Sequence, residues 1–170
     1  MKRLEKKFYD LDAVTAAPLL LGKILCRGIE GRIVKAKITE TECYFGENDT
    51  ACHAYKGKTD RTKILYERGG KAYIYLCYGI HYLLNIVTGA ENVPQAVLIR
   101  GIEKYNGPGK LTKYLKIDKN SNGENLITSD KIWLENNENE LVYDFTALPR
   151  IGIDYATEEY RNKPWRFLIK

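Results

Sequence analysis

Cysteine is scarce in this 170-residue chain, and its four residues, Cys26, Cys43, Cys52 and Cys77, never fall into a C-x-x-C pair. With nothing in the sequence pointing to secretion, that spacing excludes a disulfide framework, and the four are read as reduced thiols. A zinc site assembled from Cys52, His53, Cys77 and His81 lacks the short-spaced ligand pairs that such sites use, so no metal is expected. No apolar run is long enough to span a bilayer. The nearest approach to a signal core, Ala13 to Gly22, is interrupted by Thr15 and Pro18 and flanked by Asp10, Asp12 and Lys23. Repeats and low-complexity linkers are absent too. These absences point to a cytoplasmic protein and one domain over residues 1–170, long enough to build its core without disulfides or metal.

What is present is ordinary in amount and uneven in placement. A hydrophobic share of 44% and a charged share of 29% suit a globular protein. The net charge of +5 permits a polyanionic partner without demanding one. Residues 56–71 carry Lys56, Lys58, Arg61, Lys63, Arg68 and Lys71 against Asp60 and Glu67, and residues 100–116 carry Arg100, Lys104, Lys110, Lys113 and Lys116 against Glu103 alone. Residues 124–144 reverse the sign, with Glu124, Asp130, Glu135, Glu138, Glu140 and Asp144 against Lys131. The molecule is expected to have a basic side and an acidic side.

Strand-like runs cover Ile24 to Arg27, Arg32 to Tyr44, Ala72 to Tyr78, Ile80 to Thr88, Ala96 to Glu103, Arg150 to Ile153 and Trp165 to Ile169. Asp12 is placed to cap a helix over 13–21 with Gly22 as its stop, Lys110 to Leu115 reads as a second helix, and Asn120 to Gly123 as a turn. Hairpins outnumber βαβ units. The expected class is therefore α+β: a single domain with a mixed, mostly antiparallel curved sheet and surrounding helices.

The longest run ends unusually. Val34, Ala36, Ile38, Glu40, Glu42 and Tyr44 share one face by strict alternation, and that face begins apolar and turns acidic. On this reading Glu40 and Glu42 continue the core side to its rim, where partial desolvation raises a carboxyl pKa and suits it to acid–base work. Two alternatives stand beside it: both glutamates are solvated at a strand end, or a β-bulge flips the register. A second signal lies in Lys71 to Tyr82, where a strand bearing Tyr73 and Tyr75 runs into a Gly79 turn with Tyr78 at its tip. A tip aromatic near Arg61, Lys63, Arg68 and Lys71 is suited to wedging into a base stack while cations hold phosphates. Tyr73 and Tyr82 read as ordinary core tyrosines.

Several blocks in order, among them Leu20-Leu21-Gly22-Lys23, Thr39 to Gly46, Asp49-x-Ala51-Cys52-His53-Ala54, Gly57-Lys58-Thr59-x-Arg61, Tyr73 to Asn85, Val97 to Arg100, Gly107 to Thr112 and Pro164 to Phe167, make the chain resemble the alkyladenine DNA glycosylase family, the 3-methyladenine DNA glycosylases. The resemblance implies a monofunctional glycosylase of base excision repair that flips alkylated or deaminated purines out of double-stranded DNA and hydrolyses the N-glycosidic bond. It implies no cofactor, a monomer, and a nucleoid-associated place in a prokaryote. Glu42 takes the role of the general base that activates water, and Arg100 that of its partner. Tyr44, His53 and Tyr75 form the slot for the flipped base, Asn85 disfavours the exocyclic amine of normal guanine, and Tyr78 fills the vacated stack on a DNA-inserting β-hairpin. Lys58, Arg61, Lys63 and Lys71 would hold the DNA backbone. No matched site position is a lysine, so a lyase step through an amine nucleophile is not implied.

The chain departs from the family pattern at Asp60, where proline is usual, at Tyr66-Glu67 in place of a phenylalanine-glycine pair, at Lys71 in place of histidine, and in a shorter loop between Glu103 and Gly107. Two other classes use some of the same residues. A non-catalytic DNA- or RNA-binding module would need the basic and aromatic surface but not Glu42 with Arg100. A glycosidase of free sugars would use Glu40 and Glu42 as a carboxylate pair, which the basic clusters disfavour.

Overall fold

The alternation that starts at Arg32 is realised as one strand of 14 residues in the computed structural model, which describes residues 2–138 and 142–170. In chain order the elements are α1 (Lys6–Tyr9), α2 (Ala13–Leu19), β1 (Ile24–Ile29), β2 (Arg32–Phe45), β3 (Ala72–Cys77), β4 (His81–Val87), β5 (Gln95–Ile102), β6 (Tyr105–Asn106), α3 (Pro108–Tyr114), β7 (Ile132–Glu135), β8 (Phe145–Leu148), α4 (Glu158–Asn162) and β9 (Arg166–Ile169). Short 3-10 turns lie at His53–Lys56, Lys63–Tyr66 and Lys119–Ser121. The first half of β2 pairs with β1, and its second half pairs with β5 on one edge and, over Glu40 to Glu42, with β9 on the other. The order β3-β4-β5-β2-β1-β7, with β6 on β5 and β8 on β9, makes one curved antiparallel sheet of a single α+β domain.

Alternation sorts β3, β4 and β5 into two faces. Ala72, Ile74, Leu84, Ile86, Val97 and Ile99 enter the main core with Ala13, Ala16 and Ala17 of α2 and Leu111 of α3. Tyr73, Val87 and Ala96 join a second cluster with Cys52, Ala54, Leu65 and Tyr66 on the opposite face. Each fully buried aliphatic of the first face contributes about 1.5–3 kcal/mol through removal from water. The second face is built of aromatic and polar groups, and a cleft opens against it.

Strict alternation fails at one place, and that failure decides where the carboxylates go. The register between β2 and β5 shifts on either side of Glu40. Ala36 and Ile38 lie in the main core, but so does Cys43, and Thr41 donates its hydroxyl to Ala17 O of α2 at 2.8 Å. The core-facing positions therefore step by three, from 38 to 41, and on β5 likewise from 99 to 102. The expectation that Glu40 and Glu42 continue the side of Ile38 is overturned: the irregularity turns them to the cleft face, as a bulge does. Gly101 sits opposite, where a Cβ would lie 3.1 Å from both Glu40 Cβ and Thr39 Oγ1.

Other expectations also need correcting. Arg150 to Ile153 is an irregular segment rather than a strand, because its side chains and amides are engaged across the site instead of in a ladder. Strands β7 and β8 and helices α1 and α4 lie in stretches to which the sequence reading assigns no element, and β8 has mostly exposed side chains with little pattern to betray it. Asp12 does cap α2, accepting from Thr15 N at 2.9 Å, though the helix ends at Leu19. Helix α3 begins two residues early, with Pro108 in its first turn. Of the acidic run, Glu140 lies outside the described residues. No helix among the described residues is long and apolar enough to cross a membrane.

Candidate active site

The turned end of β2 places Glu42 behind a cleft of about 820 Å³ lined by the second face of β3, β4 and β5, by the 3-10 turn at His53, by residues 107–110 and by the irregular segment 151–155; Glu42 is not itself a lining residue, but its partners Tyr44, Arg100 and Ile151 are. Glu42 is completely buried. Its Oε1 accepts the Ile151 amide at 2.9 Å and lies 3.6 Å from Arg100 Nε, while Oε2 accepts the Tyr44 hydroxyl at 2.9 Å. Burial raises its pKa, and Arg100, the Ile151 amide, the Tyr44 hydroxyl and Arg150 oppose that rise. The result is a carboxyl that ionises above the ordinary range yet is held by directed donors.

Glu40, two residues earlier, has a different fate. Its Oε1 lies 3.3 Å from Arg100 Nε and accepts Arg166 Nη1 at 3.0 Å. Two guanidinium groups thus neutralise Glu40, whereas Glu42 shares only the farther reach of Arg100. Glu40 is thereby tied into an ion-pair network and is not free to act as the second carboxylate of a glycosidase pair.

Above Glu42 the cleft wall is aromatic. Tyr44, His53 and Tyr75 all line it, with the His53 and Tyr75 ring centroids 4.4 Å apart. His53 Nδ1 is 2.9 Å from the Tyr73 hydroxyl, and burial, with Arg61 and Lys56 nearby, lowers its pKa to about 4, so the ring is neutral at pH 7. Asn85 is buried on the same wall, donating Nδ2 to Tyr73 O at 3.3 Å. Cys52, Cys77 and His81 line the cleft as well, but no group of three or more His, Cys, Asp or Glu among the described residues is arranged to hold a metal ion.

Tyr78 stands at the tip of the β3–β4 hairpin, 87% exposed, with φ of 52° followed by 66° at Gly79. Two consecutive left-handed residues fit a tight primed turn, and a tyrosine held in that conformation is strained. Leu76 and Ile80 are exposed beside it. Of the basic residues, Arg61 reaches this region: it lines the cleft with its guanidinium 5.5 Å from the Tyr75 ring. Lys58 rests over Tyr66 at 5.5 Å and Lys63 pairs with Asp60 at 3.6 Å. Lys71 is not brought to the tip. It precedes β3 at the end opposite Tyr78, about 20 Å away at the rise of an extended strand, and pairs with Glu67 at 3.6 Å. Two of the family departures thereby face each other, and Tyr66 donates its hydroxyl to Glu47 at 2.5 Å.

Sequence reasoning missed a pair that adjoins Glu42 and Tyr44 on β2. Arg150 and Asp49 are fully buried side chains joined by two bonds, Nη1 to Oδ2 at 2.7 Å and Nη2 to Oδ1 at 2.9 Å. Separated by 101 residues, they carry no spacing signal; only Asp49 stood inside a recognised block. Lys110, on α3 beside His81, also lines the cleft.

A family model described as methylpurine-DNA glycosylase matches the chain over residues 7–106 and 103–170. Curated proteins bearing the name "Putative 3-methyladenine DNA glycosylase" are similar over nearly the whole length. That of Borrelia garinii subsp. bavariensis is 45% identical over 179 residues, covering 98% of this chain and 96% of the relative. The Clostridium perfringens strain 13 protein is 43% identical, with 99% and 96% covered, and the Natranaerobius thermophilus protein 38% identical, with 99% and 96% covered.

Proposed function

Since the chain belongs to the methylpurine-DNA glycosylase family and is therefore a DNA N-glycosylase of DNA repair, we propose that it extrudes an alkylated or deaminated purine from duplex DNA into this cleft and hydrolyses its N-glycosidic bond with Glu42 as the base. The observation that carries the reading is the fully buried Glu42 carboxylate, its pKa raised, beneath a wall of Tyr44, His53 and Tyr75. A base inside a duplex is out of reach of any carboxylate, so the nucleotide must leave the stack, and a damaged base leaves most cheaply. The aromatic wall offsets that cost at about 1–3 kcal/mol per stacked base. Tyr78, exposed at the tip of its turn, fills the gap left behind.

Glu42 accepts a proton from water as the water oxygen bonds to C1′ and the C1′–N bond breaks, its electron pair leaving with the purine. A base made cationic by alkylation departs neutral and needs no acid; a neutral deaminated base departs as an anion and takes its proton from solvent. The carboxylate also opposes the positive charge that develops on the sugar. Arg100 spans both carboxylates and sets which one stays available. Neutral His53 avoids adding a cation beside a cationic base, and Asn85 places an amide where a guanine amine would have to fit. No lysine stands among these groups, and the product is an abasic site in an intact strand.

The test uses duplex oligonucleotides carrying hypoxanthine, ethenoadenine or 7-methylguanine, scored for abasic sites before and after alkali. Wild type releases at least one of these bases, and cleavage appears only after alkali. Glu42→Gln binds the same duplex and releases nothing measurable. Base release by Glu42→Gln at the wild-type rate defeats the assignment, and strand breaks before alkali would move attention to Lys110.

A further inference from the structure

We propose that Asp49 and Arg150 form a clamp that positions Glu42 and Tyr44 for the reaction, so that both are positioning residues rather than parts of the core; the inference rests on Glu42 being the base. The Arg150 guanidinium bonds Asp49 through both terminal nitrogens and also donates to Cys43 O at 2.9 Å, the peptide between Glu42 and Tyr44, and to Tyr160 O at 3.2 Å. Its flat face packs 4.8 Å from the Tyr44 ring and 5.1 Å from Trp165. Because Arg150 does not line the cleft and Tyr44 does, the guanidinium backs Tyr44 from behind. Asp49 in turn accepts from the amides of Phe45 at 3.1 Å and Ala51 at 3.0 Å, which anchors the stretch leading to His53. The next residue after Arg150 supplies the amide that Glu42 accepts. One ion pair therefore fixes β2, the His53 segment and the 150–155 segment to one another.

Stability alone does not account for this arrangement. A buried ion pair is weak evidence for stability, because an apolar pair of similar volume often does as well. Arg150 Nε, moreover, has no hydrogen-bond partner among the described residues. What the pair provides is direction: a planar fork that fixes three segments at once. The charged and titratable groups around Glu42 are Glu40 and Tyr44 on β2, Arg100 on β5, Arg166 on β9, Tyr75 on β3 and Arg150 itself. Of these, the clamp controls Tyr44 and Arg150, together with the Ile151 amide.

The decisive variant removes both partners, Asp49→Leu with Arg150→Met, so that no charge is stranded. It is compared with wild type and with Glu42→Gln in single-turnover base release from whichever of the three duplexes wild type processes fastest. We expect a folded protein with unchanged affinity for undamaged duplex and a rate lower by about ten- to a hundredfold, the scale of a catalytic group displaced by an ångström. The acid limb of its pH–rate profile should move to higher pH, since Glu42 loses an amide donor and a nearby cation. A merely structural pair predicts wild-type rate and wild-type acid limb once the double variant is folded, and that result overturns the proposal. If the double variant does not fold, Arg150→Lys decides: it keeps the charge but has no second nitrogen to hold Asp49 Oδ1 and Tyr160 O, and must show a loss of rate in the same direction. A base-releasing Glu42→Gln would instead overturn the function from which the clamp was argued, so the two failures are distinguishable.

Discussion

Two faces of the same three strands behave as different materials. On one side of β3, β4 and β5, Ala72, Ile74, Leu84, Ile86, Val97 and Ile99 pack with the apolar side chains of α2 and α3. On the other side, residues one step along in sequence, Tyr73, Tyr75, Leu83, Asn85, Ala96, Leu98 and Arg100, line the cleft. Neighbours such as Ile99 and Arg100 therefore answer to different demands. The first face is complementary to itself, while the second is shaped for something that is not part of the chain. Stability and chemistry are separated by a single Cα, and substitutions at adjacent positions should separate them experimentally.

The largest effect should come from that adjacent pair. Ile99→Ala removes a fully buried aliphatic and should cost about 2–5 kcal/mol of unfolding free energy, with the base-release rate per folded molecule unchanged. Arg100→Met leaves the core untouched. Its rate should fall by about 10²-fold, the low end of what a positioned acid–base apparatus contributes, with a smaller loss in denaturant midpoint than Ile99→Ala. Chemical denaturation and single-turnover kinetics on both variants check the separation. Equal losses in both quantities for both variants would erase the distinction between the faces.

Next is pH. Glu42 has a pKa raised by burial, so its base form is lost as pH falls through a value above the ordinary glutamate range near 4.3. The acid limb of the rate profile should therefore lie above that value, and Arg100→Met should move it higher still. The same shift has a thermodynamic sign. A carboxyl that holds its proton more tightly in the folded state favours folding below its unfolded pKa, and that contribution is lost as pH rises through the folded value. At neutral pH an uncharged amide in its place should therefore hold or raise the melting temperature, so Glu42→Gln is expected to be inactive without being unstable. A marked fall in melting temperature at pH 7 would mean that the bonds to Tyr44 and Ile151 outweigh the cost of burying the charge.

Much of this division was readable before the fold was known, and the exceptions have physical causes. Alternation in β3, β4 and β5 is regular, so strand positions and the shared face of Tyr73 and Tyr75 follow from it, whereas the placing of Tyr75 and Asn85 at a base-binding site comes only from the resemblance. In β2, Glu42 was singled out correctly as unusual but on the wrong face, because the irregularity at Glu40 contains no glycine or proline of its own. Its signal is across the sheet, at Gly101, where a Cβ would crowd Glu40 and Thr39 at 3.1 Å. Arg150 and Ile153 looked like a strand because apolar and polar residues alternate there, yet what holds that segment is Asp49, 101 residues away. Contacts of that kind leave no periodicity. The basic run 56–71 likewise hides its own neutralisation, since Asp60 and Glu67 are paired with Lys63 and Lys71.

Tyr78 extends the comparison to the cleft's outer end. Its ring is exposed, so Tyr78→Ala should leave unfolding free energy within about 0.5 kcal/mol of wild type. Excision should suffer most where the target base is well paired, because the wedge offsets unstacking. A mispaired target should lose several-fold less, read as the ratio of single-turnover rates on matched and mismatched duplexes. Equal losses on both would reduce the tip to a passive part of the hairpin.

The smallest effect contrasts two lysines at opposite ends of this surface. Lys110 lines the cleft beside the hairpin, whereas Lys71 lies at the far end of β3 against Glu67. A lysine that holds a phosphate displaces condensed counterions, and each such contact adds about 0.9 to the slope of log K against log salt. With Arg61 and Lys110 lining the cleft and several other lysines already paired to acids, a total slope of about −4 to −5, the value for four to six contacts, is the upper range to expect. Lys110→Gln should make it shallower by about one unit and weaken damaged and undamaged duplex alike. Lys71→Gln should leave it unchanged, because its charge is already answered by Glu67. The single-turnover rate at saturating protein should be the same in both variants. If Lys71→Gln flattens the slope and Lys110→Gln does not, the DNA runs along β3 away from the hairpin, and the wedge assigned to Tyr78 loses its footing.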